Sequence, residues 1–296
     1  MNETEPPGVR LHEDVALFQE AVGFTAARTG FPARLLERDY FCTVLLAYLA
    51  DVTRGEVVFK GGTCLAKVLT DFYRLSEDLD FTIPLPVDAS RGTRRRRVEG
   101  MKAAVSAVAD TLPALGLLRP LRGANNSTQY VGSVAYESLV TGQAEEVRIE
   151  VSLREPLLTP TWVGKARTAL LDPLTEEPLV QDLAVRCISR TEAFAEKFRA
   201  ALTRREAAIQ DFYDLDYAVR KLGLQIHDAE LVDLVRRKLE VPGNEPVVLG
   251  PDRLGALRRQ RGTRLQSILR PRDYDEFDLD RAFAVVTVMY TALGGE

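Results

Sequence analysis

Asp78 and Asp80 stand one residue apart in the segment SEDLDFTI, followed by Thr82. In an extended chain, residues i and i+2 face the same way. The spacing therefore predicts that Asp78, Asp80 and Thr82 share one face of a strand while Leu79, Phe81 and Ile83 pack on a core. The same alternation occurs in VRIEVSL, where Val147, Ile149, Val151 and Leu153 point inward and Arg148, Glu150 and Ser152 point the other way. If the two strands are neighbours, Glu150 comes close to the aspartate pair. Three adjacent carboxylates raise each other's pKa unless a cation neutralises them. An oxygen-only ligand set suits Mg²⁺ or Mn²⁺. Two such ions about 4 Å apart can activate an attacking hydroxyl and stabilise a leaving oxygen in phosphoryl or nucleotidyl transfer. An isolated Asp-x-Asp is equally compatible with a solvated strand face or a turn.

A second feature precedes the pair. EVVFKGGT reads as a short strand ending at Gly61 and Gly62, with a helix-like run from Thr63 onward. Backbone N–H groups of glycines at a helix start can approach an anion closely, and Thr63 adds a hydroxyl. A tight turn is the alternative. The spacing is not that of a P-loop, because Lys67 lies inside the helical run. Ser76 and Arg74 lie between the glycines and the acids, where either could contact phosphate. A phosphate cradle and a metal-binding pair on adjacent elements are the two halves of a metal–triphosphate site, with a nucleoside triphosphate (NTP) as substrate.

The remaining composition narrows the chemistry. Two histidines, His12 and His227, and three scattered cysteines leave little for a histidine-rich centre or a nucleophile–histidine triad. Carboxylates remain. An odd cysteine count and an N-terminus without a basic start and apolar core predict reduced thiols in a cytoplasmic protein. The start of the chain, MNETEPPGVR, reads as a frayed tail, and the longest apolar run, FCTVLLAYLA, is too short to cross a membrane. Net charge is −4, yet residues 220–272 hold twelve Lys/Arg against six Asp/Glu. Such a segment marks either a polyanion-facing surface or a set of solvated helix faces.

The elements that must position these residues follow from patterning. Residues 15–51 read as two helices broken near Thr29-Gly30-Phe31-Pro32. A strand at 57–59, a helix at 63–73 and a strand at 78–83 come next, then a helix beginning in the basic run RGTRRRR. Residues 130–136 and 145–153 read as strands. Pro156, Pro160, Pro173 and Pro178 mark a linker-like stretch, and the pattern is helical from 180 onward, with Ser189 and Glu192 at capping-box spacing. The expected fold is α+β: a mixed sheet with flanking helices in residues 1–155, and a mainly helical C-terminal domain in residues 156–296.

GGTCLAK followed by RLSEDLDF resembles the signature of the AbiEii/AbiGii-type nucleotidyltransferase toxins, including the MenT toxins, within the polymerase-beta-like nucleotidyltransferase superfamily. The resemblance continues in AEKFRAAL and DFYDLDYA, residues 195–218, in the same order. It implies a nucleotidyltransferase fold, with Gly61, Gly62 and Thr63 at the triphosphate and Asp78 and Asp80 as metal ligands. Glu150 would be the third acidic position, Lys197 would pair with the triphosphate, and Asp214 would orient that lysine or help bind nucleotide. Asp211, one helical turn before Asp214, joins the nucleotide-binding set, and Ser76 becomes a candidate point of control. A surface ion pair is the alternative for Lys197 and Asp214. The glycine pair replaces the Gly-Ser of the wider superfamily, and Glu150 stands where many members have aspartate. The implied activity is Mg²⁺-dependent transfer of NMP from NTP to the 3′ end of tRNA by the toxin of a toxin–antitoxin pair. The implied partners are thus a tRNA and a cognate antitoxin, with no membrane. A protein Ser/Tyr or an aminoglycoside as acceptor, or a nucleotide-binding module without turnover, are the competing readings.

Overall fold

The computed structural model describes residues 9–295; residues 1–8 of the stretch read as a frayed tail lie outside them. The chain divides into two compact units between Ile188 and Ser189.

In the first unit, α1 (Val15–Thr29) begins at Asp14, whose carboxylate accepts from the Leu17 N–H, and ends at Gly30, a left-handed C-cap with φ 81°. Pro32 then precedes α2 (Ala33–Val52), at the break expected from sequence. Strand β1 (Val58–Lys60) runs into the short helix α3 (Gly61–Cys64), which widens into a π-turn over Leu65–Leu69. The helix expected to reach residue 73 therefore stops early, and Phe72 adopts φ 45° as the chain turns toward β2 (Asp78–Thr82). Helices α4 (Arg91–Ser106) and α5 (Val108–Thr111) follow, then strands β3 (Gly116–Ala124), β4 (Gln129–Glu137), β5 (Ala144–Ser152), β6 (Trp162–Ala166) and β7 (Leu183–Cys187).

These strands form one mixed seven-stranded sheet in the order β3-β4-β5-β2-β1-β7-β6. Strand β2 lies between β1, antiparallel, and β5, parallel. The period-2 alternation builds the layers: Phe59, Leu79, Phe81, Val147, Ile149 and Val151 are buried, and α2 packs on β2, β5 and β7. Phe41 of α2 stacks on Tyr136 of β4 with ring centroids 4.0 Å apart. The opposite face carries the polar residues of β2 and β5.

Residues 156–188, read as linker and helix, instead supply β6 and β7. The division between the units consequently falls after Ile188, not after 155. Strand β3 was also unread. It is an edge strand interrupted by Pro120 and register shifts, so its alternation is broken.

The second unit consists of α6 (Arg190–Thr203), α7 (Ile209–Lys221), α8 (Ala229–Leu239), α9 (Pro251–Gln260), α10 (Pro271–Glu276) and α11 (Leu279–Ala292), with a π-turn at Arg261–Leu265. Ser189 caps α6 by accepting from the Glu192 N–H at 3.2 Å, as the capping spacing predicts. The Glu192 carboxylate, however, meets Lys238 of α8 at 2.8 Å, with both side chains fully buried. No helix among the described residues is long and apolar enough to cross a membrane.

Candidate active site

Register settles the first question raised by the carboxylates. In the β2–β5 ladder, Asp78 pairs with Arg148 and Asp80 with Glu150, and Lys60 at the end of β1 is the partner of Asp80 on its other side. Residues in register share a sheet face, so Lys60, Asp78, Asp80, Arg148 and Glu150 lie on the face opposite the α2 layer. Glu150 is thus adjacent to the aspartate pair along the backbone. Its carboxylate is already engaged: Oε1 accepts from Gln129 Nε2 at 2.7 Å and Oε2 from Arg148 Nη2 at 3.0 Å. Among the described residues no three metal-capable side chains converge on one point. The expected cage of Asp78, Asp80 and Glu150 is therefore an aspartate pair, with a glutamate turned toward its own strand neighbours.

The glycines are held against this pair. Gly61 has φ +76°, a conformation that L side chains rarely adopt, and a Cβ there would come within 2.7 Å of Asp80 Cγ. A Cβ on Gly62 would lie 2.7 Å from Arg74 Nη2 and 3.1 Å from Ser76 Oγ. The absence of side chains lets Asp80 rest on the turn at Gly61, and lets the buried Arg74 and the half-buried Ser76 rest on Gly62. Thr63 is placed differently from the expected phosphate contact. Its side chain is buried, and its hydroxyl donates to the Asp78 carbonyl, tying the start of α3 to β2.

Charge around the site is organised from α2. Arg38 donates to Glu77 and, at 2.5 Å, to Glu145 Oε2, and Arg34 donates to Glu145 Oε1 at 2.5 Å. This network fixes the residue immediately before Asp78. Burial pushes the Asp78 carboxyl above the usual carboxylate range, against the opposing pull of Arg148. A half-buried carboxylate whose ionised form is disfavoured gains most from a cation. Mg²⁺ commonly uses one or two carboxylates and completes its shell with water and substrate phosphates. Asp78 and Asp80, on one face beside a glycine turn, fit that donor set.

In the C-terminal unit, Lys197 bridges Asp211 Oδ1 and Asp214 Oδ2, each at 2.8 Å, and Arg204 pairs with Asp211 Oδ2 at 2.9 Å. Burial works against the Asp211 carboxylate, but the Lys197 and Arg204 charges more than offset it and hold its pKa below the usual value. The three motif residues are thus brought together as one cluster. Most of the basic surplus of residues 220–272 is taken up within this unit. Arg253 donates to the carbonyls of Ala201 and Arg204 at the end of α6; Arg220, Arg258 and Arg270 pair with Asp216, Asp280 and Asp273; Lys238 is buried with Glu192 and Glu196. Arg259 and Arg264 are exposed. Part of that charge is therefore structural, neither a solvated face nor open to a polyanion.

Sequence reasoning missed Gln129 and the pairing of Arg148 with Glu150. The alternation in VRIEVSL already placed Arg148 on the face of Glu150, which was the available signal. Gln129 lies just outside the stretch read as a strand, 130–136, although it begins β4.

A family model described as nucleotidyl transferase AbiEii toxin, Type IV TA system, matches residues 44–285. The chain is similar in structure to JHP933 from Helicobacter pylori, with a TM-score of 0.51 at 15% sequence identity, covering 89% of this chain and 93% of that one. It also aligns with a candidate nucleotidyltransferase from H. pylori, with a TM-score of 0.47 at 15% identity, covering 89% and 96% of the two chains. No curated protein matches the sequence.

Proposed function

The chain belongs to the AbiEii family of nucleotidyltransferase toxins, and from that premise we propose that it transfers NMP from an NTP to an RNA hydroxyl, the tRNA 3′ end being the favoured acceptor, at the acidic face of β2. The observation that carries this reading is the packing of Asp80 on Gly61, which joins the proposed cation-binding and phosphate-binding halves at one turn.

Asp78 and Asp80 hold the divalent cation, Mg²⁺ or Mn²⁺. When bound, that ion supplies Lewis-acid polarisation of the α-phosphate and charge neutralisation of the leaving group. The N–H groups at Gly61 and Gly62 donate to triphosphate oxygens. Glu150 accepts the proton of the acceptor hydroxyl as its oxygen bonds to the α-phosphorus, and the α–β phosphoanhydride bond breaks to release pyrophosphate. Ser76, beside Gly62, contacts phosphate and is the candidate point of control. Lys197 is the proposed phosphate-pairing cation of the C-terminal unit, with Asp214 orienting it and Asp211 assisting nucleotide binding. Membership of a toxin–antitoxin family implies a cognate antitoxin, and cytoplasmic RNA as acceptor implies a cytoplasmic site of action.

The test is incubation with each α-labelled NTP, Mg²⁺ and total RNA or lysate protein. The expected result is label on RNA of tRNA size, at the 3′ end, with Asp80→Ala reducing incorporation by about a thousandfold (~4 kcal/mol of barrier) while the fold is retained. Label on protein or a small molecule would reassign the acceptor. Full activity of Asp80→Ala would refute the role of the pair.

A further inference from the structure

The grip of Arg148 on Glu150 is not needed to build the sheet. The two residues are i and i+2 on β5, with side chains 47% and 28% exposed, joined at 3.0 Å. On the neighbouring strand the register partner of Arg148 is Asp78, and that of Glu150 is Asp80. The Arg148 guanidinium therefore shares a face with all three carboxylates and is bonded to one of them. Gln129, from β4, holds the other Glu150 oxygen at 2.7 Å. Its amide donor carries no charge and so does not neutralise the carboxylate.

We propose that Arg148 is a built-in counter-ion of the acidic face, which a divalent cation displaces as it binds, so that cation binding and the Arg148–Glu150 pair exclude one another. This inference rests on the reading of Asp78 and Asp80 as cation ligands. In the cation-free protein the guanidinium supplies positive charge to the face and occupies Glu150 Oε2. The pair is partly solvated, and ion pairs in contact with water are weak, so it can be exchanged for a divalent ion. Gln129 keeps Glu150 on the sheet during the exchange by holding Oε1. Release of Arg148 frees Oε2 for the cation or the acceptor proton, which explains how a glutamate bonded to Gln129 and Arg148 can join the aspartates. Arg148 is thus a positioning residue, acting through Glu150 and the charge of the face.

Linkage gives the exchange a measurable sign. If two events exclude one another, removing one strengthens the other. Mn²⁺ binding, followed by the electron paramagnetic resonance signal of the free ion, is measured for the wild-type chain, Arg148→Gln, Arg148→Met, Arg148→Lys and Asp80→Asn. Both neutral variants are expected to bind Mn²⁺ several-fold to about tenfold more tightly (up to ~1.4 kcal/mol). Arg148→Lys should stay near wild type, and Asp80→Asn should lose binding. A merely structural role for Arg148 would weaken binding and not strengthen it. Unchanged or weaker binding in both neutral variants, with wild-type binding intact, overturns the exchange alone. Tightening in Arg148→Gln but not Arg148→Met also overturns it, because a new amide ligand would then be the cause. Wild-type protein that binds Mn²⁺ no better than Asp80→Asn overturns the cation-site reading and the exchange with it.

Discussion

Two aspartates of the first unit face opposite fates. Asp39 of α2 is buried with Lys67, from the segment just after the glycines, the two side chains being 2% and 0% exposed. Asp39 Oδ1 accepts from Lys67 Nζ at 2.6 Å, and Oδ2 accepts from the Ala169 N–H at 2.9 Å and the Thr168 hydroxyl. Lys67 also donates to the Asp39 carbonyl and, at 2.7 Å, to Thr43 Oγ1. Every charge there has a matching charge. Asp78 sits on β2 beside another carboxylate, and burial disfavours its ionised form. The contrast separates charge that closes the structure from charge that is open to a ligand. The first kind locks the π-turn after α3 onto α2; the second kind is left on the face that α3 borders.

The comparison breaks most visibly at Lys67. Lys67→Met would leave Asp39 buried without its cation, and such a loss costs about 3–5 kcal/mol. Urea unfolding should register that loss, and adding Asp39→Leu should recover more than half of it. A single variant that loses less than ~1 kcal/mol would mean that the closed pair holds little, and the distinction would fail.

Gly61 tests the border between the two regions. Gly61→Ala must accept φ +76° and push Asp80 off the turn. Melting should drop by only a few degrees, as expected for roughly 1–2 kcal/mol of backbone strain. Nucleotide transfer should fall by about a hundredfold, since a displacement near 1 Å at a reacting centre has that effect. Equal and small losses in both would show that Asp80 does not depend on the glycine for its position.

Much of this was legible in the sequence because a strand has period 2. That periodicity put Asp78 and Asp80 on one face and predicted Glu150 beside them if β2 and β5 paired, and they do. The break between α1 and α2 was marked by Gly30 and Pro32, and the start of α6 by Ser189. What failed has equally physical reasons. Strands β6 and β7 lie among prolines in a stretch whose composition resembles a linker, and only the pairing of β7 with β1 and of β6 with β7 reveals them. The direction of the Glu150 carboxylate depends on Gln129, which arrives from β4 through register, not through proximity in sequence. Lys67 looked like part of an ordinary helix, since its acceptors come from α2 and from residue 167.

Thermal unfolding of Asp78→Asn, with and without Mg²⁺ and a non-hydrolysable NTP, tests the central claim that this carboxylate is kept for a cation. Burial raises the folded-state pKa of Asp78. Its contribution to stability is therefore full below the unfolded value near 4 and is lost as pH rises through the folded value. At pH 7 the ionised group is a cost that the neutral amide avoids. Without the cation, Asp78→Asn should melt a few degrees above wild type at pH 7, the difference closing below about pH 4. With Mg²⁺ and nucleotide, wild type should gain stability and the variant should not. A variant that melts lower without the cation, or gains as much as wild type with it, would contradict the account.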